Sequence, residues 1–260
     1  RRVLFRSASG GTAQTPTAAA GPLGRGWRSE RFGVQETVTA GRQTGLFGGN
    51  AGLALHALQG VLGIKIQDQV LATTPTSDRW LVVGSRELET EHHLRYRRQW
   101  LWAVHQPQAA LVLTFTAGFQ PLPPPLPLAR QFDGALCWYP GAWRQRALIK
   151  EQGMPENLPL PSNLGYPSLA QALAHQAEAL ALNPFLAIFP MLLDNVIPQY
   201  HDGRWWLCDH RQQAVPLQIQ GESWPLLALS GGHPLTMFGE WDGQRLTGLC
   251  AWQDDEIISL

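Results

Sequence analysis

Apolar and polar positions along the chain fall mostly into short two-residue alternations, with one stretch of helical period near the middle. Leu53 to Leu62 carries a short amphipathic helical pattern that ends at Gly63. Lys65 to Leu71 alternates and predicts a strand, Thr73 to Asp78 a turn, and Arg79 to Gly84 a second strand. Glu87 to Val104 is mixed in charge and predicts one long strand. In that strand Tyr96, Arg98, Trp100 and Trp102 share one face, with Arg95, Arg97 and Gln99 on the other. Ala109 to Phe115 is β-branched and apolar, a further strand. Five prolines between Pro121 and Pro127 predict a stiff extended connector with few backbone donors. Phe132 to Tyr139 and Ala147 to Lys150 read as strands on either side of a Pro140-Gly141 turn.

The helical period begins at Ser168, which forms a capping box with Gln171. Leu169, Leu173 and Leu180 then lie near one face, with Ala172, Ala177 and Ala181 filling it out. Asn183-Pro184 stops this helix and opens a second short one, Phe185 to Leu193. Two hairpins follow. Asp202-Gly203 joins Val196–Tyr200 to Arg204–Cys208, and Asp242-Gly243 joins Thr236–Trp241 to Gln244–Leu249. No fixed-period repeat is visible, although the two hairpins look alike. The predicted class is α+β, strand-rich, with antiparallel hairpins and a short central helical segment. Its parts are a first β-rich region over residues 51–160, then a helix pair and hairpins over residues 161–260.

The start of the chain changes this picture. Residues 1–7, Arg-Arg-Val-Leu-Phe-Arg-Ser, read as one frame of a common sequencing adapter and are set aside as a translated scar. Residues 8–50 are rich in Gly, Ala, Thr and Ser with few large apolar side chains, a composition that does not offset ordering entropy. The three methionines are Met154, Met191 and Met237, so the chain is expected to be a piece of a longer protein.

Lys plus Arg and Asp plus Glu both number 20 in the 260 residues, a balance that argues against a generic polyanion binder. Charged residues make up 15%, against about 25% in an average domain. No apolar run approaches the ~18 residues of a membrane span. Three scattered cysteines do not make a disulfide scaffold and point to a reducing compartment, so a cytoplasmic location is expected, with no membrane partner.

Candidate chemistry is sparse. Leu229-Ser230-Gly231-Gly232-His233 imitates the signature loop of ABC transporters, but neither lysine, Lys65 or Lys150, sits in the phosphate-cradling loop that such a site requires. Read plainly, Ser-Gly-Gly after an apolar strand is turn chemistry. Cys208-Asp209-His210 is the nearest approach to a metal site, with Cys137, Cys250 or His201 as distant helpers. It lacks a second closely spaced ligand pair, and His92 and His93 point to opposite sides of an extended segment. There is no G-x-S-x-G elbow to expose a nucleophilic serine. Glu87, Glu89 and Glu91 line one strand face, a solvated edge more than an acid/base pair. No catalytic residue and no cofactor-binding residue is assigned.

Arg95-Tyr96-Arg97-Arg98-Gln99-Trp100 interleaves cations with aromatics, as single-strand nucleic-acid binders do. The competing reading has the arginine stems covering tryptophans and pairing with Glu87, Glu89 and Glu91, and the charge balance favours it. Eleven tryptophans are an unusual density, and interfaces enrich them.

Several segments together resemble the C-terminal region of bacterial SWIM zinc finger family proteins. They include Arg79–Gly84, Leu94–Trp102, Trp138–Ala142 with Arg146–Ile149, the Asn183-Pro184-Phe185 junction, and Leu227–Pro234 leading to Phe238–Gly243. The resemblance runs from about Leu53 to Leu260. In that family the finger is a C-x-C followed by a C-x-H, lying upstream. This sequence contains neither pair, so no metal ligand carries over and zinc is expected only in the upstream part. The reading adopted is a non-catalytic accessory domain that contacts a protein partner, or holds the zinc finger in position, through exposed aromatic anchors such as Trp100, Trp102 and Trp241. Two alternatives stay open: a nucleic-acid binder using Arg95, Arg97, Arg98, Trp100 and Trp102, and an enzyme with an unrecognised site.

Overall fold

A computed structural model describes residues 66–89, 95–116, 120–254 and 256–260. Among these the chain is strand-rich, with eleven strands, mostly antiparallel, and three helices. The predicted Leu53–Leu62 helix, Glu91 and the His92-His93 pair lie outside the described residues.

The first element corrects an expectation. Ile66–Leu71 is a helix (α1) and not part of a strand. Of its described side chains Val70 is buried and Leu71 half-buried, one turn's contact and not the alternating burial of a strand. The strands β1 (Thr76–Glu89), β2 (Arg95–Ala103), β3 (Ala109–Thr116), β4 (Gln131–Trp138) and β5 (Arg146–Gln152) close into a barrel in the order β1-β2-β3-β5-β4. The single long strand expected over Glu87–Val104 is therefore two strands that fold back on each other. Glu87 pairs with Arg97 and Glu89 with Arg95 across the hairpin. All neighbours in this barrel are antiparallel except β3 and β5.

Alternation then explains the apolar runs. Trp80, Val82, Leu101, Phe132, Leu136 and Trp138 fill the barrel interior. Leu81, Val83, Trp100 and Trp102 point outward, yet they are buried as well. The proline-rich connector between β3 and β4 plugs this barrel with Leu126. Its prolines bring few donors, and Gln99 satisfies Leu126 on both sides, donating to its carbonyl and accepting from its N–H.

After β5 the chain passes through α2 (Leu169–Leu182) to β6 (Phe189–His201), β7 (Arg204–Cys208), β8 (Ala214–Gln218), α3 (Trp224–Ser230), β9 (Leu235–Trp241), β10 (Leu246–Gln253) and β11 (Glu256–Ser259). The second sheet also closes, because β9 pairs with both β6 and β10. Its ring β6-β7-β8-β10-β9 repeats the connectivity of the first, including the one parallel contact, here β8 with β10. Helix α3 occupies the place between the third and fourth strands that the proline connector holds in the first barrel. Its Leu226 plugs the second core as Leu126 plugs the first.

Three helix expectations are corrected here. Phe185–Leu193 is no helix: Phe189 begins the long strand β6, whose Phe189, Met191 and Leu193 face the second core while Leu192 faces the first barrel. A strand buried on both faces shows no alternation, and its apolar run mimics a helix. In α2 the buried residues are Leu169, Ala172 and Ala179, whereas Ala177 and Ala181 are exposed. The Ser230-Gly231-Gly232 turn ends a helix and not a strand, with Gly231 in the left-handed cap conformation at φ 51°. Both Asp-Gly hairpins are present as expected; Asp202 and Gly203, at φ 49° and 75°, make the first turn.

The two barrels meet along a shared apolar seam. Leu81, Val83, Trp100 and Trp102 of the first pack with Leu192, Phe238, Leu249, Cys250 and Trp252 of the second. Beside it Glu240, buried to 2% exposure, accepts from Trp100 Nε1 at 2.8 Å and from Arg98 at 2.9 Å, with Arg86 at 3.6 Å.

Candidate functional site

The residues singled out by sequence do not form an exposed surface. Trp100, Trp102 and Trp241 are 0%, 1% and 6% exposed, so the expected aromatic anchors on an open sheet face are corrected to core and seam residues. The first two are covered by the second barrel. Trp241 belongs to the second core and donates to Gln176 of α2. Arg97 is buried against Glu87 and the Pro123 carbonyl, and Arg98 is committed to Glu240. Arg95 alone of the three is well exposed, at 3.7 Å from Glu87. Of the partners the charge-balanced reading named, Glu87 pairs with Arg95 and Arg97, while Arg98 pairs with Glu240, distant in sequence; Glu91 lies outside the described residues. Cys208-Asp209-His210 gathers no further ligands, and no group of three metal-binding side chains occurs among the described residues.

A cleft of about 430 Å³ opens elsewhere, where one end of the first barrel faces α2 and the start of β6. Its walls come from the β2–β3 turn at Gln106–Gln108, the β4–β5 loop at Ala142–Gln145, and Tyr166, His175 and Phe189. Local sequence builds each part. The Pro140-Gly141 turn throws Trp143 out of the barrel, and Gln145 ties the loop down by donating to the Ile188 carbonyl at 2.8 Å. Gly165 lets the chain approach β6 closely: a Cβ there would lie 2.6 Å from the Leu192 carbonyl oxygen. Its N–H donates to Asp194, and Tyr166 exchanges backbone bonds with Leu192 and Asp194. Helix α2 then begins at its Ser168 cap and delivers His175 two turns later.

The aromatic groups interlock. His175 sits edge-on to Trp143 at 5.2 Å and to Phe189 at 5.9 Å, and Tyr166 meets Trp102 of the seam at 5.9 Å. The Tyr166 hydroxyl is hydrogen-bonded to Nδ1 of His175. Burial, with a smaller push from Glu178, holds the Tyr166 hydroxyl well above the ordinary phenol range. Tyr166 therefore keeps its proton at neutral pH and can donate it to Nδ1. Arg144 is exposed on the cleft wall and makes no ion pair among the described residues.

Sequence reasoning missed Trp143, Tyr166 and His175. The available signal was weak: a large aromatic just after a Pro-Gly turn, and another between a glycine and a helix cap, both in loops where binding groups concentrate. Nothing local says that they converge. Compared with protein-family models, curated proteins and solved structures, the chain matches none. Among the described residues no helix is long and apolar enough to cross a membrane.

Proposed function

We propose that this chain is a non-catalytic binding module, an α+β accessory part of a cytoplasmic bacterial protein of the SWIM zinc finger type, and that it holds a segment of a protein partner in the Trp143–Tyr166–His175 cleft. Zinc belongs, on this reading, to the part upstream. The observation that carries the binding role is the cleft itself: aromatic walls with a few polar groups on them, at the volume of sites that hold small ligands or a few residues of peptide. A catalytic reading has less support, since the cleft lining among the described residues includes no carboxylate and no cysteine to work with His175.

Strand connectivity adds support by analogy alone. Five-stranded Greek-key barrels of the oligonucleotide/oligosaccharide-binding type engage ligands over strands two and three and over the loops joining strands one–two and four–five. In the first barrel the second barrel covers the outward tryptophans of β2. The four–five loop stays open, and it carries Trp143 and Arg144. The nucleic-acid alternative through Arg95–Trp102 loses its stacking platform to the same burial.

A selection from a displayed peptide library tests the proposal. Enriched peptides should bind the protein and lose at least about tenfold in affinity on Trp143→Ala, a typical cost for a central aromatic anchor. Peptides that bind equally well to the Trp143→Ala protein, or a selection that enriches none, would contradict it.

A further inference from the structure

Resting on that reading of the cleft, the chemistry of its walls narrows the occupant. We infer that the cleft recognises the C-terminal carboxylate of a partner chain whose last side chains are apolar or aromatic. Among the described lining side chains the fixed charge is a cation and none is an anion. Arg144 offers a guanidinium that no described carboxylate neutralises, Gln106 and Gln108 offer carboxamides, and His175 presents its ring beside them with Nδ1 engaged by Tyr166. None of the described lining residues is Asp or Glu. Glu178, exposed on α2 one turn beyond His175, is not among them.

Aromatic walls by themselves would also suit a cation, which rings attract through their faces. Such cages hold their cation with help from an acid, and here the fixed charge at the rim is the positive Arg144. A cationic occupant would meet like charge with no carboxylate among the described lining residues to offset it. A neutral internal segment would fill the apolar walls and leave the guanidinium unmatched. A terminal carboxylate satisfies both parts, because it accepts from a guanidinium in a paired, charge-assisted geometry while its own last side chain lies against Trp143 and Phe189. The volume matches roughly two or three residues, the reach of a chain end and not of a long strand.

Four probes separate the possibilities by calorimetric titration: N-acetyl-Leu-Phe as the free acid, the same dipeptide as its C-terminal amide, N-acetyl-Asp-Leu-Phe amide, and phenylpropionate. Each is titrated into the full chain, its Arg144→Gln variant and its Trp143→Ala variant, with circular dichroism to verify folding. The free acid should bind about tenfold or more tightly than its amide, and Arg144→Gln should abolish that preference while leaving amide binding unchanged. Trp143→Ala should weaken both. Phenylpropionate, a free small acid without a peptide, should bind more weakly than the dipeptide acid. If acid and amide bind equally but both depend on Trp143, the cleft stands as a peptide site and the terminal-carboxylate inference falls. If the internal aspartate probe equals the free acid, a side-chain acid and not a chain end is recognised. Phenylpropionate binding as tightly as the dipeptide acid would make the occupant a small free acid. Binding indifferent to Trp143, or no binding at millimolar probe, overturns both the inference and the reading beneath it.

Discussion

The carboxylate of Asp209 accepts three backbone N–H groups, from Leu169 at 3.0 Å, Arg211 at 2.9 Å and Gln213 at 3.0 Å, and so ties the β7–β8 turn to the first residue of α2. Burial pushes this acid up, but those three bonds outweigh it and hold it below the ordinary carboxylate range. A depressed acid contributes stability that is present above its unfolded value and lost as pH falls through the folded one. Asp209→Ala should therefore cost about 2–3 kcal/mol at pH 7, with a cost that shrinks below about pH 4, as urea melts at both pH values would show. Arg146 is the opposite case. Its Nε and Nη1 are buried without acceptors, its guanidinium lies 4.1 Å from the Tyr139 ring, and burial pulls its pKa down. Arg146→Met should leave the melting temperature unchanged or raise it by ~2–4 °C; a clear fall would mean that the ring contact outweighs the stranded donors. Among the thiols, Cys250 is fully buried, donates to the Val83 carbonyl at 2.7 Å and is held well above the ordinary thiol range by that burial. Iodoacetamide on the native protein should modify the half-buried Cys208 before Cys250, as mass mapping would reveal.

At the scale of elements, local chemistry was readable where it acts locally. Ser168 accepts from Gln171 N at 3.4 Å, a long bond, so Ser168→Ala should cost about 1 kcal/mol or less, below the cost of Asp209→Ala; the reverse order in chemical melts would refute the account of this helix start. The Asp-Gly turns were legible for the same reason: Asp202 and Gly203 are both at positive φ in the first, and Gly243 is at φ 96° in the second, conformations that few other residues suit. Runs buried on both faces were not. Phe189–Leu193 looks helical because the second core takes one side of it and the first barrel the other. Lys65–Leu71 failed in the opposite way, because Ile66 and Val70 are four residues apart, a helical spacing and not an alternation. The cleft was unreadable from sequence because Trp143, Tyr166 and His175 come from a loop, a bridge and a helix that meet only once both barrels are closed.

Across the whole molecule, one strand order is used twice, and the two copies share no fixed sequence period. What repeats is connectivity, one parallel contact and a plugging leucine, and those place few demands on residue identity. The seam between the copies consumes Trp100 and Trp102, two of the tryptophans that the sequence offered as anchors, and Glu240 sets its polar margin. Removing that carboxylate strands Arg98 beside the seam. Glu240→Ala should cost about 3–5 kcal/mol, while Glu240→Gln, which can still accept from Trp100, should cost less; calorimetric melts that rank the two equally would argue against a charge-paired margin.

The central claim is that the working surface is the cleft at Trp143 and not the seam or the exposed Trp224. Fluorine NMR of the 5-fluorotryptophan protein, with resonances assigned by single substitutions, tests it during titration with N-acetyl-Leu-Phe. The account predicts a saturable shift at Trp143, a smaller one at Trp102 behind Tyr166, and none at Trp224. A shift led by Trp224, or a Trp143 resonance that stays still at saturating peptide, would contradict it.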